Sequence, residues 1–62
     1  MKYRLLASAG TLQDIETIIN KYFYSTSYHV NGEQIESSKT GKVLTAYRII
    51  LKKGRYRFEM EV

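Results

Sequence analysis

Residues 43–62, with the sequence VLTAYRIILKKGRYRFEMEV, decide the fold because they predict a β-hairpin whose two strands agree in register. With Lys53 and Gly54 in the turn, the alternation of a strand places the apolar side chains of both strands on one face. The pairs predicted on that face are Leu51 with Tyr56, Ile49 with Phe58 and Tyr47 with Met60. An apolar face of this kind is expected to lie against the core of the protein.

The opposite face of the same hairpin is cationic. The register places Lys52 opposite Arg55, Ile50 opposite Arg57 and Arg48 opposite Glu59. The last pair predicts a cross-strand ion pair worth about 0.2–1 kcal/mol. That pairing leaves a free cationic tip, predicted to consist of Lys52, Lys53, Arg55 and Arg57.

Residues 11–24 predict an amphipathic helix. Thr11 can cap its first turn, and Asp14 can bond back to the cap while favouring the positive end of the helix dipole. Apolar residues recur at helical spacing: Leu12, Ile15, Ile18, Ile19, Tyr22 and Phe23. The opposite side of the helix is predicted to carry Gln13, Glu16, Thr17, Asn20, Lys21 and Tyr24.

A strand is predicted before the helix, over residues 2–8. Alternation places one set of side chains on one side and the other set on the reverse. The first set is Tyr3, Leu5 and Ala7, and the second is Lys2, Arg4 and Leu6.

A second hairpin is predicted over residues 26–37, around Asn31-Gly32, because both residues tolerate the positive φ of a type I′ turn. This register places Val30 opposite Glu33, Tyr28 opposite Ile35 and His29 opposite Gln34. The hairpin is short and polar, so we expect it at a sheet edge or projecting from the core.

The order of elements predicts a single α+β domain over residues 1–62, with β-α-β-β-β-β order. The helix is expected to cover one face of a mostly antiparallel sheet of four or five strands. A right-handed crossover would make the first strand parallel to a later one. The uncovered face is predicted to carry Lys2, Arg4, Leu6, Leu44, Arg48, Ile50, Lys52, Arg55, Arg57, Glu59 and Glu61.

Composition limits the classes of function. The chain has 62 residues, a formal net charge of +4 and no cysteine. A basic chain attracts anionic partners in a general way, and without cysteine neither disulfides nor a zinc cluster reinforce the fold. The apolar N-terminal run is too short for a signal peptide, and no stretch reaches the length of a membrane span. We therefore expect a soluble, cytoplasmic protein with no cofactor.

Catalysis is not expected from this sequence. The only histidine, His29, would need Glu33 or Glu36 beside it to act as a base or metal ligand, and a surface position is the simpler interpretation. A chain this short rarely encloses a cavity of ligand size. No catalytic or metal-binding residue is predicted.

Two classes of function remain. An interaction module would bind a protein partner, or a second copy of itself, through the open basic face or an edge strand. A nucleic-acid-binding protein would place the same cations on phosphates. Either partner would contact Arg48, Ile50, Lys52, Lys53, Arg55 and Arg57. We favour the protein partner, because the hairpin aromatics point inward, away from bases, and the remaining positive charge is scattered.

Tyr24 is a secondary interface candidate. It falls on the polar side of the predicted helix, and tyrosine is enriched at binding hot spots. The hydroxyls of Ser25, Thr26 and Ser27 beside it could cap the helix end or be modified. The sequence does not choose between these two roles.

Overall fold

The computed structural model describes residues 2–62. Its elements are β1 (Tyr3–Ala9), α1 (Leu12–Tyr22), β2 (Tyr28–Asn31), β3 (Gln34–Ser37), β4 (Tyr47–Lys52) and β5 (Arg55–Glu61). The α+β class and the β-α-β-β-β-β order are confirmed. The strands do not form one sheet, however. They form a three-stranded sheet in the order β1-β5-β4 and a separate two-stranded sheet, β2-β3.

The predicted C-terminal hairpin is confirmed in every pair, from Tyr47 opposite Met60 to Lys52 opposite Arg55. Lys53 and Gly54 both have positive φ, at 53° and 78°, as a type I′ turn requires. Ile49 and Phe58 face each other on the apolar side and are 2% and 0% exposed. The hairpin therefore supplies the centre of the core.

The helix is also confirmed, but it ends at Tyr22, so Tyr24 lies beyond it and not on its polar side. Thr11 caps it by accepting a hydrogen bond from the Asp14 amide at 3.1 Å, and Ile15 and Ile19 are fully buried. The helix packs against β1, β2 and β5. It covers one side of the three-stranded sheet and leaves the other side open.

The faces of β1 differ from the prediction because the strand contains a β-bulge. Its register with β5 shifts between Leu5 and Ala7, so Leu6 is an extra residue without a partner. The bulge reverses the alternation. Tyr3 and Leu5 therefore share the open face with Glu61 and Glu59, whereas Arg4 pairs with Met60 on the helix side.

Other residues predicted on the open face also lie elsewhere. Leu6 and Leu44 pack against the core. Lys2 precedes β1 and is exposed. The prediction was wrong for Leu6, which is the bulged residue of β1, and for Leu44, which precedes β4 and lies outside the three-stranded sheet. Lys2 lies outside β1, so the strand register does not assign it to the open face.

The second hairpin forms, but its predicted register was wrong. Asn31 pairs with Gln34, Val30 with Ile35 and His29 with Glu36, so the turn is Gly32-Glu33. Gly32 has a φ of 63°, as the first central residue of a type II′ turn does. This register brings Val30 and Ile35 together on the core side, and Ile35 is fully buried. Burial of that pair accounts for the shift, and it makes the hairpin part of the core and not a polar projection.

Side chains of the helix hold this hairpin in place. Asn20 bonds both backbone groups of Tyr28, accepting from its N–H at 2.9 Å and donating to its carbonyl at 3.1 Å. The Glu16 carboxylate accepts from the Val30 N–H at 2.8 Å. These two polar residues therefore satisfy the edge of β2 as a neighbouring strand would.

The parallel arrangement that a right-handed crossover would give the first strand does not occur. β1 pairs with β5 in the antiparallel sense, and the strand pairs of residues 2–62 are all antiparallel. The helix returns the chain to a second sheet, so it does not connect two neighbouring strands of one sheet. The crossover rule applies only to the latter case.

Candidate functional site

The open face is the side of the three-stranded sheet that the helix does not cover. The strand registers assign its residues. They are Tyr3, Leu5 and Ser8 from β1, Arg55, Arg57, Glu59 and Glu61 from β5, and Arg48, Ile50 and Lys52 from β4.

Glu59 occupies the centre of the open face and is only 5% exposed. Its carboxylate accepts from Nε of Arg48 at 2.8 Å and from Nε of Arg57 at 2.9 Å. Burial alone would raise the pKa of Glu59, but the hydrogen bonds from Arg57 and Arg48 outweigh burial and hold that pKa below its ordinary value. The carboxylate is therefore ionised at neutral pH and fixes two guanidinium groups on the surface.

Arg48 also stacks on an aromatic ring. Its guanidinium carbon lies 3.5 Å from the centroid of the Tyr3 ring, which is cation–π geometry. Because β5 separates β4 from β1, the Arg48 side chain crosses the central strand to reach Tyr3. The predicted Arg48–Glu59 pair is confirmed, and the Tyr3 contact, which exists only because of the bulge, was missed.

The cationic tip differs in one member from the prediction. Arg57 is not free, because it shares the Glu59 carboxylate with Arg48. Arg55 donates from Nε to the Ser8 hydroxyl at 3.1 Å. Lys52 and Lys53 are exposed beside the turn, so the free charge is concentrated at the end of the hairpin.

The apolar residues of the open face lie on its outer strands. Leu5 on β1 is 44% exposed, and Ile50 on β4 is half-buried opposite Arg57. The centre of the open face is ionic, with Glu59 and its two arginines between these two apolar positions.

The two edges of the three-stranded sheet are less suited to binding a partner than the open face is. The outer edge of β4 is partly occupied, because the Ile49 N–H donates to the Glu33 carbonyl at 3.0 Å. The other outer strand, β1, carries the bulge, and bulges impede the addition of a further strand.

Tyr24 lies apart from the open face, at the C-terminal end of the helix. Its side chain is 98% exposed. The Ser25 N–H bonds to the Asn20 carbonyl at 2.9 Å and the Tyr24 N–H to the Lys21 carbonyl at 3.2 Å, which is the Schellman pattern. Tyr24 therefore occupies the position that glycine usually takes, with a φ of 51°.

The backbone of Tyr24 is strained for this residue type. A left-handed conformation costs a residue with a Cβ about 1–2 kcal/mol, whereas glycine adopts it freely. Because the ring is almost fully exposed, it buries little apolar surface and contributes little stability. Folding alone therefore does not account for a tyrosine at this position.

His29 belongs to a small polar cluster on the second hairpin. Its Nε2 lies 3.3 Å from the Glu36 carboxylate, and its Nδ1 lies 2.8 Å from the Ser38 hydroxyl. The predicted neighbour Gln34 was wrong, because the register is shifted by one residue.

A serine, a histidine and an acid in this order also make up a hydrolytic triad. In such a triad Nε2 of the histidine faces the serine and Nδ1 faces the acid, whereas here Nδ1 faces Ser38 and Nε2 faces Glu36. The nearby amides of Lys39 and Thr40 donate to the Ser37 hydroxyl at 3.3 and 3.4 Å, so they do not form an oxyanion hole. The cluster links the hairpin to the loop that follows it.

Two features are absent from residues 2–62. The described histidine, aspartate and glutamate side chains form no group that could hold a metal ion. In the same part of the chain, no helix has the length and apolar character to span a membrane.

Comparison of the chain with protein-family models, with curated proteins and with solved structures finds no match. The geometry of the chain itself therefore carries the functional argument.

Proposed function

We propose that this chain is a small, non-enzymatic interaction module that binds an acidic protein surface through the open face of its sheet. The observation that carries the proposal is the fixation of Arg48 and Arg57 by a nearly buried Glu59, with Arg48 stacked on Tyr3. Long side chains held in place before binding lose less entropy when a partner arrives. Arginine and tyrosine are also the residue types that dominate binding hot spots.

The charge of the open face defines the chemistry of the partner. Arg48, Lys52, Arg55 and Arg57 outnumber its two acids, Glu59 and Glu61. The shortest contacts to Glu59 use Nε of each arginine, and each guanidinium has further N–H donors. These donors suit the carboxylates of an acidic partner, and Leu5 and Ile50 provide apolar contact on either side.

A second copy of this chain is a poorer partner. A face-to-face dimer would bring two cationic surfaces together, and each chain carries a formal charge of +4. Juxtaposed like charges oppose association. We therefore expect a monomer in sedimentation experiments. A dimer that Ile50→Asp dissociates would instead identify a second copy of the chain as the partner of the open face.

The test is affinity capture from nuclease-treated extract of the cells that make this protein. Wild type should retain a partner, and Ile50→Asp should lose it while staying folded, because the new carboxylate faces Arg57. The matched control is Leu51→Asp, at a position that is 63% exposed on the helix side. A captured protein that both variants retain, or that both lose, would contradict the proposal.

Nucleic acid is the second candidate partner. The observation in its favour is that Lys52, Lys53 and Arg55 lie at the hairpin tip, outside the pairs made by Glu59. If phosphates bind there, duplex affinity should fall steeply with salt, and Lys53→Gln with Arg55→Gln should reduce that slope. The absence of gel retardation of duplex and single strand at low salt would reject this candidate. For either partner we propose a cytoplasmic location, which suits a chain without cysteine.

A further inference from the structure

A groove of about 800 Å³ lies at the C-terminal end of the helix, on the side of the molecule away from the open face. It is open to solvent, so it is a surface groove and not the enclosed cavity that a chain of this length rarely forms. Its walls come from the end of the helix, residues 24–27 and the loop after β3. Its size is nevertheless in the range of ligand sites, roughly 300–1,000 Å³.

Hydrogen bonds hold the walls of the groove together. The Ser38 N–H donates to the Ser27 carbonyl and brings the β3–β4 loop against the segment that follows the helix. The Ser27 N–H donates to the Ser25 hydroxyl at 3.1 Å, and Asn20 fixes Tyr28 at the end of the segment. The groove is therefore formed before any ligand binds.

The lining of the groove is cationic and rich in hydroxyl groups. Lys21 and Lys39 contribute its charges, and its described lining includes no acidic side chain. Neither lysine belongs to an ion pair within residues 2–62. The hydroxyls are those of Thr17, Ser25, Thr26 and Ser27. This set of groups favours an anion with several oxygen atoms, such as a phosphate.

The negative end of the helix dipole opposes an anion here less than a free helix end would. The carbonyls of Ile19, Asn20 and Lys21 already accept bonds from the N–H groups of Phe23, Ser25 and Tyr24. Their partial negative charge is thus partly neutralised. The charge of the two lysines decides the sign of the groove.

Tyr24 lines the same groove with an almost fully exposed ring. A flat aromatic surface in a cationic groove is the combination that binds a base and its phosphate. We propose that the groove binds a nucleotide unit, with the base stacked on Tyr24 and the phosphate held by Lys21 and Lys39. This role explains why a strained position carries tyrosine, and it does not depend on the open face.

The test is an amide chemical-shift titration of the full chain with adenosine 5′-monophosphate and, separately, with a single-stranded deoxyadenylate hexamer. Saturable shifts should appear at residues 17–27 and at Lys39. Comparable affinity for both ligands identifies a free mononucleotide as the source, whereas much tighter binding of the hexamer identifies a single strand.

Two variants and a control complete the experiment. Tyr24→Gly retains the fold and should weaken binding about tenfold, as the loss of one stacked base does. The double variant Lys21→Gln with Lys39→Gln should weaken binding and reduce its salt dependence. Lys42→Gln, exposed in the same loop but outside the groove, should bind as wild type does. The proposal is overturned if neither ligand causes saturable shifts at millimolar concentration, or if Tyr24→Gly binds unchanged.

Discussion

Replacement of Glu59 by Gln tests whether the ionic centre of the open face is a stabilising unit. The carboxylate is 5% exposed and accepts two hydrogen bonds from arginines. Bonds to charged groups are worth about 1.5–3 kcal/mol each. The side chains of Arg48 and Arg57 are 37% and 33% exposed, however, and can turn to water in the variant.

Because of that partial exposure, we expect Glu59→Gln to lower the free energy of unfolding by only about 1–2 kcal/mol at pH 7, since fully exposed ion pairs contribute only about 0–1 kcal/mol. In a domain of this size, each kcal/mol changes the melting temperature by about 4–8 °C. Urea denaturation gives the free energy of unfolding directly. Glu61→Gln is the control, because Glu61 is exposed on the same face of the same strand.

The pH dependence gives a second, independent measure. The folded state lowers the pKa of Glu59 from its ordinary value of 4.5, so the unfolded chain binds the proton more readily. The contribution of Glu59 to stability is then complete above about pH 4.5 and is lost as the pH falls through the lowered folded pKa. Glu59→Gln should lose less stability than wild type on acidification. Equal losses for Glu59→Gln and Glu61→Gln at pH 7, or an unchanged acid profile, would refute this reasoning.

Three further predictions concern other parts of the molecule. Tyr24→Gly should raise the free energy of unfolding by about 1 kcal/mol, because glycine relieves the strain of a positive φ at the helix end. Asn20→Ala should lower it by about 1–3 kcal/mol, because the partly buried N–H and carbonyl of Tyr28 lose their hydrogen-bond partner; urea denaturation measures both. Burial, with the nearby Tyr22 hydroxyl, raises the pKa of Tyr47 above 10.0. The stability due to Tyr47 is therefore complete below about pH 10 and lost above it, so Tyr47→Phe should flatten the alkaline loss in thermal melts.

Each of these predictions has an outcome that contradicts it. Tyr24→Ala keeps the backbone strain, so a gain as large as that of Tyr24→Gly would assign the effect to the ring. Gln13→Ala, on the exposed side of the helix, controls for Asn20→Ala and should change stability by less than about 0.5 kcal/mol. An alkaline profile of Tyr47→Phe that matches wild type would reject the role of Tyr47.

The parts of the fold that the sequence predicts correctly are those set by local patterns. The Lys53-Gly54 turn fixes the register of the C-terminal hairpin, because a two-residue turn permits only one alignment of its strands. Helical spacing and the Thr11 cap locate the helix in the same way. The Arg48–Glu59 pair follows from the hairpin register and was predicted with it.

The errors arise where distant contacts outweigh local signals. Asn31-Gly32 is a strong turn signal, yet burial of Val30 with Ile35 shifts the turn by one residue. The bulge at Leu6 has no local signature, and it exchanges the two faces of the first part of β1. Tyr3 and Leu5 were therefore missed as members of the open face.

The groove at Tyr24 was beyond prediction for the same reason. It forms only when the loop after β3 meets the end of the helix, through the bond from Ser38 to Ser27. The sequence indicated the exposure of Tyr24 but not the approach of Lys39. Local periodicity carries no information on such contacts.

The most direct test of the open face is photo-crosslinking inside the cells that make this protein. A photoreactive amino acid at Leu5, which is 44% exposed beside Glu59, samples the proposed surface, and one at Leu51 samples the opposite side. We predict that the Leu5 position crosslinks to an acidic protein and that the Leu51 position does not. Crosslinks from Leu5 to nucleic acid alone, crosslinks from Leu51 alone, or none from either position would contradict the proposal that the open face binds a protein.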